Sequence, residues 1–250
     1  MHYGFDGKVA LVTGAGGGIG RATACAFAAS GAAVLVSDVN ADGGAQTVAM
    51  IAEAGGRAVF QACDVSQDGE VRAMVARAVS EFGRLDFAHN NAGINNVMTD
   101  EWDEANWERS IAINLKGVML CMKAEGEAML AQGGGAIVNT ASINGLVGNP
   151  TQPAYTAGKH GVVGLTRMGA LKWARSGIRV NAVCPGVIET PMTDSVAANP
   201  EIRKIMENMT PMGRMGQAAE IAAAVLWLCS DQASFVTGHP LVIDGGATAV

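Results

Sequence analysis

The sequence predicts an α/β protein: a doubly wound parallel sheet of about seven strands, flanked by helices on both faces, in one domain spanning 1–250. Three observations predict it. Short apolar runs alternate with longer helical patterns along all 250 residues. The strand candidates are continuously apolar and not alternating, which implies burial on both faces. Strand and helix in strict alternation imply right-handed crossovers within a single parallel sheet. No linker, low-complexity tract or internal repeat interrupts the pattern.

The elements follow in order. Strand 8-KVALVT-13 leads through a glycine-rich turn into a helix over 19–30. Strand 33-AVLVSD-38 precedes a helix over 42–54, and 58-AVFQACD-64 precedes one over 68–82. Strand 85-LDFAHN-90 is followed by a long helix over 106–131, and 135-GAIVNTAS-142 by a helix over 155–176. Strand 178-IRVNAVCPG-186, a helix over 218–230 and strand 240-PLVID-244 complete the chain. Gly31, Gly55, Gly83 and Gly177 stand where helices end, the position that favours a left-handed residue.

Composition narrows the class. Apolar residues make up 49% and charged residues 16%, a small charged surface that fits burial in an oligomer. A net charge of −6 argues against nucleic acid, whose phosphates need a basic face. The five cysteines are scattered without a CxxC pair, and the four histidines show no metal-ligand spacing. This suits a reducing cytoplasm with no metal. The longest apolar run, 221-IAAAVLWLC-229, is too short to span a bilayer, and no signal peptide is recognisable, so no membrane role is expected.

The first strand runs into 13-TGAGGGIG-20. The pattern G-x-G-x-x-G is not met, but Gly14, Gly18 and Gly20 give a wider spacing with the same physics. Glycines let the backbone turn sharply beside a pyrophosphate, and the following helix aims its amides at the charge. Asp38 ends the second strand. A carboxylate there can bond both ribose hydroxyls and repels a 2′-phosphate, and neither Gly17 nor Val39 nor Asn40 supplies a compensating cation. Loop and acid together favour NAD over NADP.

With 90-NNAG-93, Asn114, Ser142, 155-YTAGK-159 and 185-PG-186 with Thr190 in this order, the sequence resembles the short-chain dehydrogenase/reductase family over essentially its whole length. The resemblance implies a Rossmann-type sheet, a nicotinamide cofactor, reversible oxidation of an alcohol to a carbonyl, and a homotetramer or homodimer built partly on the long helices. It implies Tyr155 as general acid/base, Ser142 holding the substrate oxygen, Lys159 binding the nicotinamide ribose and lowering the tyrosine pKa, and Asn114 anchoring a water in a proton relay. Gly14, Gly18, Ile19, Asp38, Asp64, Val65, Asn91, Pro185, Gly186 and Thr190 would line the cofactor with Tyr155 and Lys159. Two positions depart from the family's habit: Gly158 precedes the lysine in place of serine, and Cys184 precedes Pro185 in place of asparagine. Cys184 is expected near the substrate.

The chemistry needs this pair. A phenol of pKa ~10 is less than about 1% ionised at neutral pH. An ammonium four residues on lies on the same helix face and, with the positive nicotinamide, favours the phenolate. His160 is read as packing or surface. Read from the residues alone, Asn114 fits a helix-interior asparagine bonded to backbone equally well.

Between Thr190 and Gln217 the alternation lapses, in a segment near 190–216 with Met192, Met206, Met209, Met212 and Met215. The resemblance makes this a substrate lid, and flexible methionines suit an apolar ligand. The alternative is that they fill a gap beneath a small helix. Asn144, Val147, Gln152 and Gly186 are further wall candidates. No lysine or arginine is evidently committed to a substrate anion, so a neutral, fairly apolar secondary alcohol or ketone is expected, cyclic or a diol. The rival readings are a carbonyl reductase of 3-oxoacyl thioesters, disfavoured by Asp38, and a non-catalytic NAD-binding sensor, disfavoured by the intact Ser/Tyr/Lys set.

Overall fold

The structure, a computed structural model, describes residues 3–95 and 102–249, with 194–196 by backbone alone. Strands β1 (Val9–Thr13), β2 (Ala33–Asp38), β3 (Arg57–Ala62), β4 (Phe87–Asn90), β5 (Gly135–Thr140), β6 (Ile178–Pro185) and β9 (Pro240–Ile243) form one sheet in the order β3-β2-β1-β4-β5-β6-β9. Every pairing is parallel. Helices α1 (Gly18–Ala29), α2 (Ala41–Glu53) and α9 (Ala218–Cys229) cover one face. Helices α3 (Asp68–Phe82), α5 (Val118–Gln132) and α6 (Pro153–Trp173) cover the other.

Burial on both faces explains the unbroken apolar strands. In β1, Ala10 and Val12 pack into the core beneath Phe27, Ile51 and Ile221, while Leu11 packs with Met74, Met129 and Trp173. The four predicted capping glycines all have positive φ, from 76° to 97°. The Cα of Gly126 brings α5 against α6, since a Cβ there would stand 2.6 Å from the Trp173 ring.

Chain winding reverses between β1 and β4, whose carboxyl ends diverge to β2 and β5. That switch point is where an open α/β sheet leaves a crevice for a ligand.

Several boundaries differ from the sequence reading for local reasons. β3 stops at Ala62, so Asp64 lies on the loop beyond the sheet, and β5 stops at Thr140, so Ser142 caps a 3-10 turn, Ile143–Gly145. The long fourth helix begins earlier, as α4 (Glu104–Ile111), and passes through a π-helical stretch, Ala112–Gly117, before α5. Asn114 sits inside that stretch. The lapse between Thr190 and Gln217 resolves into α7 (Pro191–Ala197), α8 (Pro200–Asn208) and a parallel two-stranded ribbon of β7 (Ile188–Glu189) with β8 (Gly216–Gln217).

Candidate active site

The glycine loop is built for close approach. Gly14 and Gly18 have φ of 63° and 51°, and a Cβ on Gly20 would lie 2.1 Å from the Gly14 carbonyl oxygen. The N-cap of α1 is Gly17, with no side-chain cap, so the first amides of the helix face the crevice without a protein acceptor from that side chain. Asn91 ties the loop to β4: its Nδ2 donates to Thr13 O at 3.1 Å and to Gly14 O at 3.2 Å.

Asp38 closes one end. Its Oδ2 accepts from Gly16 N–H at 2.8 Å, and its Oδ1 from Asn40 N–H at 2.8 Å. A side chain at Gly16 would collide with this carboxylate, a Cβ coming within 2.8 Å of Oδ2. Arg21, the cation on α1, turns behind the loop to Gly16 O, to Gly43 O at 3.2 Å and to Thr47 Oγ1 at 3.0 Å. Arg21 is therefore spent on structure, and Asp38 lines the cavity.

At the other end stand Ser142, Tyr155 and Lys159. Ser142 Oγ accepts from Asn144 N–H at 3.1 Å and hydrogen-bonds the Tyr155 hydroxyl. Lys159 Nζ lies 5.4 Å from the Tyr155 ring centroid and donates to Thr140 O at 2.7 Å. Gly93 makes room for it, since a Cβ there would be 3.6 Å from Nζ and 2.8 Å from Asn114 Oδ1. Burial pulls the lysine down to about 8. Burial also raises the Tyr155 hydroxyl above its ordinary value, with the Ser142 hydrogen bond pulling the other way. The net direction from the protein's own groups is upward, and Lys159 is not among its causes.

One cavity of about 770 Å³ joins the two ends, within the roughly 300–1,000 Å³ of ligand pockets. Gly14, Gly18, Ile19, Asp38, Asp64, Val65, Asn91, Ser142, Tyr155, Lys159, Pro185, Gly186 and Thr190 all line it. Asn114 does not. It is fully buried, its Oδ1 accepting from Ile94 N–H at 3.0 Å and its Nδ2 donating to Ile94 O at 2.9 Å and Ser110 Oγ at 3.0 Å. The backbone-bonded alternative describes its side chain.

The other wall residues divide. Asn144, Gln152 and Gly186 line the cavity, whereas Val147 is exposed and outside it. Cys184 is fully buried and is not on the lining, but it lies just beneath the site, its thiol interacting with the Ser142 backbone and with Lys159. Of the five methionines, Met192, Met206 and Met209 line the cavity, Met215 is buried elsewhere and Met212 borders a separate small pocket. His160 is exposed, with Nδ1 at 3.0 Å from Thr156 O.

Sequence reasoning missed Arg109, an exposed cation on the lining with no hydrogen bond or ion pair among the described residues. Its helical spacing to Ile113 and Lys116 was a usable signal. Lys116 Nζ donates to Ser66 O at 3.2 Å.

Comparison with known proteins agrees with this geometry. A family described as enoyl-(acyl carrier protein) reductase matches residues 14–248. The chain is 46% identical to a cyclohexanol dehydrogenase of Acinetobacter sp. (strain SE19), covering 100% of this chain and 98% of that protein. It is 45% identical to a cis-4-hydroxycyclohexanecarboxylate dehydrogenase of Sinomonas cyclohexanicum over all of both chains. The crystal structure of a levodione reductase superposes with a TM-score of 0.93 at 41% identity, covering 98% of this chain and 99% of that one. The chain belongs to the short-chain dehydrogenase/reductase family, enzymes that use a nicotinamide cofactor to interconvert CH–OH and carbonyl groups.

Proposed function

We propose that this enzyme is an NAD-dependent dehydrogenase of neutral, fairly apolar, cyclic secondary alcohols, working reversibly on the matching ketones. The observation that carries the reading is the placement of Ser142, Tyr155 and Lys159 at one end of a cavity whose other end is Asp38. Cyclic alcohols and ketones in the names of relatives support the substrate class.

When bound, the cofactor accepts a hydride from the carbinol carbon. Ser142 Oγ holds the substrate oxygen, and Tyr155 Oη takes its proton. Lys159, fixed by Thr140 O, holds the nicotinamide ribose and supplies positive charge beneath the phenol. Asn114 contributes to the proton relay through its main chain in the π-helical stretch, its amide being engaged with Ile94 and Ser110; π-bulges recur at functional sites. Asp38 binds the adenosine ribose and disfavours a 2′-phosphate. Gly14, Gly18, Ile19, Asn91, Pro185, Gly186 and Thr190 contain the phosphates and nicotinamide, and Asp64 with Val65 the adenine.

The segment near 190–216 acts as a lid, and three of its methionines face the substrate space. The working unit is a homotetramer in the cytoplasm. Exposed apolar side chains support it: Met168 and Leu171 on α6, and Trp107, Met119 and Leu130 along α4 and α5. Among the described residues no helix is long and apolar enough to cross a membrane.

The test is oxidation of a panel of cyclic and acyclic secondary alcohols with NAD⁺ or NADP⁺, followed at the absorbance band of the reduced cofactor. Turnover of cyclohexanol with NAD⁺ preferred is expected. A strong NADP(H) preference with 3-oxoacyl thioester reduction overturns the reading, and cofactor binding without any turnover points to a sensor.

A further inference from the structure

Beside Ser142, three amide side chains form a small cluster whose orientation is fixed by the backbone. Thr151 donates to Asn149 Oδ1 from both N–H and Oγ1, each at 3.0 Å, so the other end of the Asn149 amide is its NH₂ group. That Nδ2 faces Gln152 Oε1 at 3.3 Å, which assigns the glutamine oxygen in turn. The same oxygen accepts from Asn144 Nδ2 at 3.0 Å. Each assignment follows from the one before it, because a donor needs an acceptor opposite.

The accounting leaves two atoms over. Gln152 Nε2 carries two N–H donors, and Asn144 Oδ1 is an acceptor, and neither has a protein partner among the described residues. Both residues line the cavity. The two atoms flank the 3.0 Å Asn144–Gln152 hydrogen bond, each sharing an amide carbon with one of its atoms. They are also beside the chemistry. Asn144 N–H is 3.1 Å from Ser142 Oγ, and Gln152 is three residues before Tyr155 at the start of α6.

A donor and an acceptor flanking one hydrogen bond match a group that both accepts and donates. We propose that Gln152 Nε2 and Asn144 Oδ1 bind a second hydroxyl of the substrate, so that the preferred substrates are ring diols. This rests on the dehydrogenase reading above and narrows it. A ketone or ether oxygen satisfies only the glutamine, and a bare ring carbon satisfies neither. One carbinol carbon loses its hydride to the nicotinamide and its hydroxyl proton to Tyr155, and the second hydroxyl leaves unchanged in a hydroxyketone.

The experiment compares kcat/KM for cyclohexanol and for cyclohexane-1,2-, 1,3- and 1,4-diols in wild type and Gln152→Met. Wild type is expected to favour at least one diol over cyclohexanol. Gln152→Met should lower that diol-to-cyclohexanol ratio about 10-fold, mainly through KM. If Gln152→Met fails to fold, Gln152→Ala carries the test: it removes the donor with a smaller side chain, so the same loss is expected. A cyclohexanol preference over every diol, or a diol preference that survives in a folded Gln152 variant, overturns the proposal. Absence of turnover with all four alcohols overturns the dehydrogenase reading and this proposal with it.

Discussion

Glu125 lies fully buried on α5, behind the sheet and away from the cavity. Its Oε2 accepts from Asn90 Nδ2 at 2.9 Å, while its Oε1 and Asn90 Oδ1 have no partner among the described residues. Its titratable neighbour Cys121 is pushed upward by burial and stays neutral. Burial therefore raises the carboxyl to about 7 from its ordinary 4.5, against a smaller opposing contribution from Asn90. The folded state holds this proton more tightly than the unfolded chain does. The associated stability is fully present below about 4.5 and is lost as pH rises through about 7. At ~1.36 kcal/mol per pH unit the loss is on the order of 3 kcal/mol, a sizeable part of a typical domain's stability.

Glu125→Gln removes the titration, keeps an acceptor for Asn90 Nδ2 and brings an N–H₂ donor beside the unpaired Asn90 oxygen. Denaturant unfolding of both proteins across pH 4.5 to 8.5, at one protein concentration, isolates the effect, because the other titrating groups cancel in the difference. Wild type should lose roughly 3 kcal/mol relative to the variant as pH rises, with most of the fall complete by about pH 8. A flat difference curve, or one in which wild type gains on the variant with pH, would refute the reasoning.

Three further outcomes are expected. Tyr155→Phe should lower kcat by at least about 10²-fold while NADH binding, read by fluorescence titration, stays close to wild type; substantial residual turnover excludes the acid/base role. Asp38→Ala should reduce the NAD⁺-over-NADP⁺ ratio of kcat/KM at least about 10-fold, because the carboxylate's repulsion of a 2′-phosphate is removed; an unchanged ratio places the ribose elsewhere. Gly158→Ala should raise stability by about 0.5–1 kcal/mol in thermal or chemical unfolding. Its Cβ would meet Asn114 Cβ at 3.5 Å and Ile111 Cδ1 at 3.9 Å, ordinary contact distances in the middle of α6, and destabilisation would mean that this space is needed.

What the sequence determined by itself was whatever short-range physics encodes. Apolar runs bounded by glycine marked all seven strands of the sheet. Glycines at helix ends fixed the helix boundaries, the spacing of Gly14, Gly18 and Asp38 marked one end of the cavity, and the family resemblance carried by Ser142, Tyr155 and Lys159 marked the other. These signals are local because backbone conformation and side-chain type decide them. The tertiary structure decided everything that depends on neighbours distant in the chain. Cys184 lies under Ser142 and Lys159 and off the lining because β6 carries it on the face of the sheet that α6 covers. Asn114 is spent on Ile94, twenty residues away, inside a π-helical stretch that helical periodicity does not reveal. Helices α7 and α8 escaped notice because they are short and partly exposed, with too few buried positions to set a clear period. The direction of the Tyr155 shift and the protonation of Glu125 follow from burial, which a sequence does not state and only packing supplies.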